Sequence, residues 1–326
     1  MNNSTFELPT WTVAPTTSSQ DYGTCIETLR SVPFLILVSL TALSSILAVV
    51  GNASILWAVH KNKSLRNVSN NLIVSLCLSD LITGLLVSPL SIAMATLLRH
   101  EEEHERLESF LFFFLGVVLI NTTLTLSTVS VDRYIAIVFP LRYKELVTQR
   151  KSVCILIGTW TFAVVTPSPR LVFLQEHLEQ IIFGSIVIAL SIPLVITVYC
   201  YFKILKVAQK QAVCPVTSGL NVAYYTLKNK KTTITMAMIL GLFTVVYTPL
   251  FGFAALALSG HQVCHVHEAG DWLWPTFVVC ASAALNPLVY GIRNMMIRNA
   301  LKKIFIDIFK REQVDKNRAR NLVMHR

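Results

Sequence analysis

The sequence predicts an all-α membrane protein, a seven-transmembrane helix bundle with a short amphipathic eighth helix. Three observations carry that prediction. Of the 326 residues, 53% are hydrophobic and only 14% charged, a composition suited to lipid rather than to a water-facing surface. Apolar runs recur at about 33–59, 70–98, 107–131, 152–169, 181–202, 233–258 and 271–291, most reaching the ~20 residues a helix needs to cross a ~30 Å hydrocarbon core. The segments between runs alternate between basic and acidic.

That alternation sets the orientation. Lys61, Lys63 and Arg66 lie between runs one and two, and Arg142, Lys144, Arg150 and Lys151 between three and four, opposed only by Glu145. Lys203, Lys206, Lys210, Lys228, Lys230 and Lys231 lie between five and six, and the tail is basic. The other connections carry Glu101, Glu102, Glu103, Glu105, Glu108, Glu176, Glu179, Glu268 and Asp271. Lys and Arg concentrate on the cytosolic side of membrane proteins, so the N-terminus is expected outside and the C-terminus in the cytosol. The domain reading is then 1–32 an extracellular segment, 33–292 the seven-helix domain, 293–311 the membrane-surface helix and 312–326 a cytoplasmic tail. The net charge of +10 faces anionic lipid headgroups and not nucleic acid.

The first 31 residues lack the basic start and apolar core of a signal peptide, so run one is expected to direct insertion. Asn2 and Asn3 begin overlapping glycosylation sequons on the outer side. Asn67 faces the cytosol, and Asn52 and Asn121 lie within runs, so their matching triplets are expected to be silent. Cys77, Cys154, Cys200 and Cys280 fall within runs, where a thiol packs as a small apolar group, and Cys214 faces the reducing cytosol. Cys25 and Cys264 are the extracellular cysteines; a bridge between them and two free thiols are both open.

Chemistry-bearing residues stand out against the apolar background. Asp80 is the one acid or base deep in a run, and an intramembrane carboxylate is costly enough to mark a functional site; the competing reading is a protonated Asp satisfied by its neighbours. Pro249 lacks an amide proton and its ring clashes with the preceding turn, so run six is expected to kink there. Asp132-Arg133-Tyr134 ends the third run, where membrane meets cytosol. Past Tyr290, Met296, Ile297, Leu301, Ile304, Phe305, Ile308 and Phe309 recur at helical spacing among Arg298, Lys302, Lys303, Lys310 and Arg311, the pattern of a helix lying on the inner leaflet. A transporter would be expected to show inverted repeats or several charges along a path, which Asp80 alone does not supply. No phosphate-binding glycine loop and no nucleophile paired with a base suggests an enzyme.

From Asn52 to about Lys310 the sequence resembles the rhodopsin-like (class A) G protein-coupled receptors. The resemblance rests on Gly51-Asn52, Leu78-Ser79-Asp80, Asp132-Arg133-Tyr134, Trp160, Pro193, Tyr201, Phe243, Pro249 and Asn286-Pro287-Leu288-Val289-Tyr290, in that order. It implies a plasma-membrane receptor that activates heterotrimeric G proteins by outward movement of the sixth helix. Arg133 would pair with Asp132 at rest and release toward the G protein, with Tyr201, Asn286, Pro287 and Tyr290 supporting the active arrangement. Asp80 would hold a sodium ion with Asn52, Thr122, Ser282 and Asn286, although Ala283 stands where relatives often have serine. Phe243, Tyr247 and Pro249 would form the trigger and hinge, with Tyr247 in place of the usual tryptophan. Lys228-Asn229-Lys230-Lys231 stands where many relatives place an acid that restrains the arginine, so ligand-free signalling is expected. No cysteine follows the surface helix to take a palmitoyl anchor.

The same resemblance places Leu115, Gly116, Leu119, Ser185, Tyr247, Leu250, Phe251, Trp272, Thr276 and Cys280 around the ligand pocket. Leu115 replaces the aspartate that binds amines, and Cys280 the lysine that binds retinal, which argues against both. The lining is largely apolar and suits a lipid-like or small aromatic ligand. The family's disulfide from run three to the second outer loop has neither partner here; Glu108 stands near one position, and the loop, about 170–180, is short. That absence is similar to the melanocortin, cannabinoid and lysophospholipid branch, while Pro193 and Asn286 depart from the melanocortin pattern. The acidic first outer loop with His100, His104, His177, His261, His265 and His267 leaves a cationic peptide, protons or zinc open as rim ligands beside the plain reading of solvated loops. A receptor-like protein without its own agonist, constitutive or a dimer partner, is the nearer alternative, and a transporter the distant one.

Overall fold

A computed structural model describes residues 32–62, 65, 67–99, 105–172, 176–213, 265–293, 298–299 and 302. Run six, the N-terminal segment with Asn2, Asn3 and Cys25, Cys264, and nearly all of the predicted surface helix lie outside the described residues. Helix α1 spans Val32–Lys61, and α2, Val68–Ile82, passes through a π turn at Thr83–Val87 into α3, Ser88–Arg99. Helix α4 is Glu105–Val138, followed by the short α5, Tyr143–Leu146, then α6, Gln149–Val165, and a 3-10 turn at Ser168–Leu171. Helix α7 is Glu176–Val213 and α8 is His265–Arg293. Among the described residues five helical stretches, Phe34–Lys61, Val68–Leu97, Glu105–Val138, Gln149–Leu171 and Gly184–Val207, are long and apolar enough to cross a membrane, and Thr276–Val289 is a shorter apolar stretch.

Their surfaces are inverted relative to a water-soluble protein. Leu35, Ile36, Leu43, Ile46 and Val50 of α1, and Ile181, Ile188, Ile192 and Val195 of α7, are exposed, while Thr41, Asn52, Ser75, Ser79, Ser88, Asn121 and Thr125 are buried. In water such a coat would aggregate. In lipid it carries no penalty, and close packing and interhelical hydrogen bonds drive assembly instead. The core forms around α4, where Leu111, Leu115, Val118, Leu119 and Ile120 meet Val87, Ala163, Ala189, Leu190 and Val279.

Local chemistry sets the boundaries. Asn67 caps α2, its side chain accepting from the Asn70 amide at 2.9 Å, and the Asn70 side chain donates to the Leu65 carbonyl at 2.7 Å. The Asn67 of that sequon-like triplet is thus a helix cap. Thr148 caps α6 in the same way, and the Lys151 ammonium donates to the Glu145 and Leu146 carbonyls at 3.3 and 3.2 Å, where α5 leaves its last carbonyls unpaired. The π turn precedes Pro89, whose missing amide and ring disfavour a regular turn. Here the Ser88 amide reaches back to the Thr83 carbonyl, and the Gly84 carbonyl accepts from Ser45 Oγ at 2.7 Å.

Gly84 and Gly51 admit close approach of the first span to its neighbours. A Cβ on Gly84 would lie 2.8 Å from Val49 Cγ2, and one on Gly51 would lie 2.7 Å from Pro287 Cγ. Gly51 thus brings α8 against α1, and Gly84 brings the second span against the first.

Several boundaries differ from the sequence expectation. Helix α4 continues past 131 to Val138, so Asp132-Arg133-Tyr134 sits inside a helix. The fourth run breaks after Val165, because Pro167 and Pro169 cannot continue an α-helix, and finishes as a 3-10 turn. The second outer loop is shorter than 170–180, since Arg170 belongs to that turn and Glu176 already opens α7. His265, His267 and Glu268, expected in a loop, lie in α8. At Val138, Glu176 and His265 helical backbone extends beyond the apolar run, whereas the fourth run stops short of its end at the prolines.

Candidate functional site

Two polar clusters occupy the bundle. The first surrounds Asp80, which is 4% exposed. The Asn286 amide nitrogen donates to both carboxylate oxygens, at 3.0 Å to Oδ1 and 2.9 Å to Oδ2, joining α2 to α8. Beside this pair a hydrogen-bonded layer joins α2, α4 and α6. Asn121 donates to Ser79 Oγ at 2.7 Å and to Ser75 Oγ at 3.5 Å; Ser75 also contacts Thr125 Oγ1 at 3.3 Å and accepts from Trp160 Nε1 at 3.1 Å.

Of the residues expected around Asp80, only Asn286 is hydrogen-bonded to it. Asn52 donates to the Ala48 and Ala283 carbonyls at 2.9 and 3.1 Å, and Ser282 donates to the Val279 carbonyl of its own helix at 2.8 Å. Thr122 is half-buried, and its neighbour Asn121, about 100° around the helix, faces the serines of α2. A fully buried amide in an apolar run is the signal that could have found it. The Oδ1 atoms of Asn52 and Asn121 are buried acceptors without a hydrogen-bond donor.

The second cluster is built on Asp132, whose side chain is 4% exposed against 30% for that of Arg133. Arg133 Nη2 lies 2.9 Å from Asp132 Oδ2. Ser69 Oγ donates to that oxygen at 3.4 Å and accepts from Arg133 Nη2, while the Tyr143 hydroxyl donates to Asp132 Oδ1 at 2.8 Å. Four side chains from α2, α4 and α5 therefore converge. Burial, and then the hydrogen bond to Asp132, push the Tyr143 phenol above its usual value, holding it protonated as a donor. Sequence reading missed Ser69 and Tyr143, because partners from other helices carry no local pattern. Tyr134 packs edge-on against Phe139 with ring centres 6.0 Å apart. Tyr201 is partly buried, Pro287 lies against Gly51, and the Tyr290 side chain lies outside the described residues.

At the opposite end of α4, Arg170 Nη2 lies 3.2 Å from Glu108 Oε1, and the Arg170 guanidinium sits 4.9 Å from the centre of the Phe112 ring. Glu108 is thus engaged by a cation rather than standing with the acidic rim. Among the expected pocket residues, Leu115 and Leu119 belong to the core, and Gly116 is covered by Pro167 and Ile186. Ser185 donates to the Ile182 carbonyl at 2.7 Å, Thr276 is buried, and Cys280 accepts from Ser88 Oγ at 3.0 Å. Phe243, Tyr247, Pro249, Leu250 and Phe251 lie outside the described residues, as does the side chain of Trp272. No group of three or more His, Cys, Asp and Glu suited to a metal occurs among the described residues.

Residues 51–290 match the model of the 7 transmembrane receptor (rhodopsin family). Relatives include the melatonin receptor type 1A of Ovis aries, 24% identical over 294 residues, covering 83% of this chain and 78% of the relative. The histamine H2 receptors of Rattus norvegicus and Homo sapiens are each 29% identical, over 286 and 287 residues, with 80% of this chain and 76% of each relative covered. The match spans the Asn286–Asp80 pair, the Asp132–Arg133 cluster and the packing of Gly51 on Pro287, and with it the chain belongs to the rhodopsin family of seven-transmembrane receptors.

Proposed function

We propose that this receptor carries an extracellular ligand signal across the plasma membrane to heterotrimeric G proteins, with its N-terminus outside and the Arg133 end of α4 in the cytosol. The observation that carries the reading is the Asp132–Arg133 pair with Ser69 and Tyr143 around it. The pair holds a guanidinium against a buried carboxylate at the end of a long helix. Its remaining contacts come from neighbouring elements, so relative movement of helices breaks them and frees a cation for a partner. Ser69 and Tyr143 supply resting restraint from a direction other than the sixth helix, where the sequence offers lysines and no acid.

Asp132, Arg133, Tyr134, Tyr201, Asn286, Pro287 and Tyr290 are the proposed coupling and activation residues, with Phe243, Tyr247 and Pro249 as trigger and hinge. Asp80 and Asn286 link the second and seventh spans; a sodium ion there would draw on Asp80 with Asn52, Thr122, Ser282 and Asn286, supplying counter-charge to the acid. The proposed pocket is Leu115, Gly116, Leu119, Ser185, Tyr247, Leu250, Phe251, Trp272, Thr276 and Cys280. Its apolar side, with Leu115 in the core, suits a lipid-like or small aromatic ligand better than an ammonium, in contrast to what the names of the histamine H2 relatives say of those proteins. Asn2 and Asn3 are the proposed glycan sites, and Cys25 and Cys264 a proposed bridge. The mechanism exchanges helix arrangements and uses no covalent chemistry.

The test is nucleotide exchange on a panel of purified G proteins by the full receptor in lipid discs, with Arg133→Ala as control. Exchange above background that Arg133→Ala removes supports the reading; its absence with every G protein, with and without a panel of lipids, basic peptides, nucleosides and protons, overturns it.

A further inference from the structure

Glu108, Phe112 and Gly116 succeed one another at spacing four, on one face of α4. The turn after α6 meets each of them. Pro167 occupies the space of a Gly116 side chain, since a Cβ there would lie 3.0 Å from Pro167 Cβ. The Arg170 guanidinium covers Phe112 at 4.9 Å and reaches Glu108 at 3.2 Å. The turn is itself held by the Arg170 amide on the Pro167 carbonyl at 3.2 Å and the Val172 amide on the Pro169 carbonyl at 3.1 Å. Three matched contacts along two turns of helix make a seam.

We propose that this seam is a reversible latch, with Arg170 as the positioning residue that fastens the Glu108 end of the third membrane helix to the segment entering the fifth. The seam itself is independent of the receptor reading, but its consequence, that Arg170 sets the resting width of the outer mouth and so the level of ligand-free signalling, rests on that reading. Arginine suits the place because its guanidinium lies over Phe112 while one of its terminal nitrogens meets the carboxylate; lysine offers a single point charge for both contacts. The Arg170 side chain is 16% exposed and that of Glu108 39%, so the acid is the half that water and salt reach. A covalent bridge would fix this contact; an ion pair open to solvent on one side lets it release.

The experiment uses the full-length receptor in lipid discs, with melting followed by a thiol-reactive dye at the buried Cys77 and Cys280 and exchange measured on the same samples. Variants are Glu108→Gln, Arg170→Gln, both together, Arg170→Lys, and the exchange of charges Glu108→Arg with Arg170→Glu. The latch predicts that Arg170→Gln melts ~2–4 °C lower, that Glu108→Gln adds nothing in that background, and that the wild-type advantage shrinks as KCl rises. It also predicts that Arg170→Lys recovers only part of the loss, and that Arg170→Gln changes ligand-free exchange several-fold while the charge exchange restores it in part. Additive losses for Glu108→Gln and Arg170→Gln, or a salt-independent difference, overturn the latch. Coupled melting with unchanged exchange overturns its role in signalling. Coupled melting with no exchange from the wild type would count against the receptor reading alone.

Discussion

The third membrane helix carries an ion pair near each end, and the two are built for different purposes. At the Arg133 end the acid is buried and accepts from Arg133, Ser69 and Tyr143. At the Glu108 end the acid is the more exposed partner, and the cation gains its second contact from an aromatic ring. Burial decides how much the loss of a partner costs. A buried charge left alone costs several kcal/mol, because neither water nor protein replaces what was removed; an exposed one is rehydrated at once. The first pair therefore suits a switch with two distinct states, and the second an adjustable fastening.

The largest expected effect breaks the comparison at its stronger end. Arg133→Ala should bring agonist-independent and ligand-driven exchange to background without loss of surface expression, measured with G protein biosensors in cells. Next, Asp132→Asn leaves the guanidinium without its counter-charge. Losing a buried partner costs ~3–5 kcal/mol, toward the lower end here because the Arg133 side chain is 30% exposed, and ligand-free exchange should rise roughly a hundredfold, up to the ceiling of full activation, by the relation of ~1.4 kcal/mol to a factor of ten. No rise would mean that the pair is not a resting restraint.

Tyr143→Phe sharpens the picture by removing one donor and keeping the ring. A hydrogen bond to a charged group contributes ~1.5–3 kcal/mol, so a rise of roughly tenfold or more in ligand-free exchange is expected, with Ser69→Ala smaller because its 3.4 Å contact is long. The same hydroxyl has a pH signature. Its folded value lies above the ordinary 10.0, through burial first and the Asp132 contacts second. The native state then holds the proton where the unfolded chain has lost it, so this stabilisation is complete below about pH 10 and is lost as pH rises through the folded value. Ultraviolet titration should show one late tyrosine that disappears in Tyr143→Phe; identical titrations would remove Tyr143 from the cluster. The smallest effect belongs to the other end, where the Phe112 ring still holds Arg170 after Glu108→Gln and the acid removed was the more hydrated partner, so a small, salt-sensitive fall in melting is expected.

What the sequence made legible was whatever depends on one helix at a time. Apolar run length announced the membrane helices, and the Asp132-Arg133-Tyr134 and Asn286-Pro287 segments announced the inner cluster and the Asp80 link. Gly51 and Pro287 were named separately, yet their contact was not, because it lies between the two ends of the chain. Ser69, Tyr143 and Arg170 escaped for the same reason: each acts on a residue of another element, at sequence separations from 11 to 64. Asn121 escaped likewise, since the serine it bonds to lies 42 residues away on another helix. Boundaries failed where polar residues prolong a helix beyond its apolar stretch, as at Val138 and Glu176.

The π turn at Thr83–Val87 bears on any engineering of this receptor. A π turn holds one residue more than an α turn, so everything from Ser88 onward is rotated by about a quarter of a circle relative to an uninterrupted helix. The half of the second span bearing Asp80 and the half bearing Ser91 and Ala95 can therefore be aimed separately. Removing a single residue from the turn would swing the far half to a new azimuth and leave the acid where it is, a way to recast one end of the molecule without disturbing its centre.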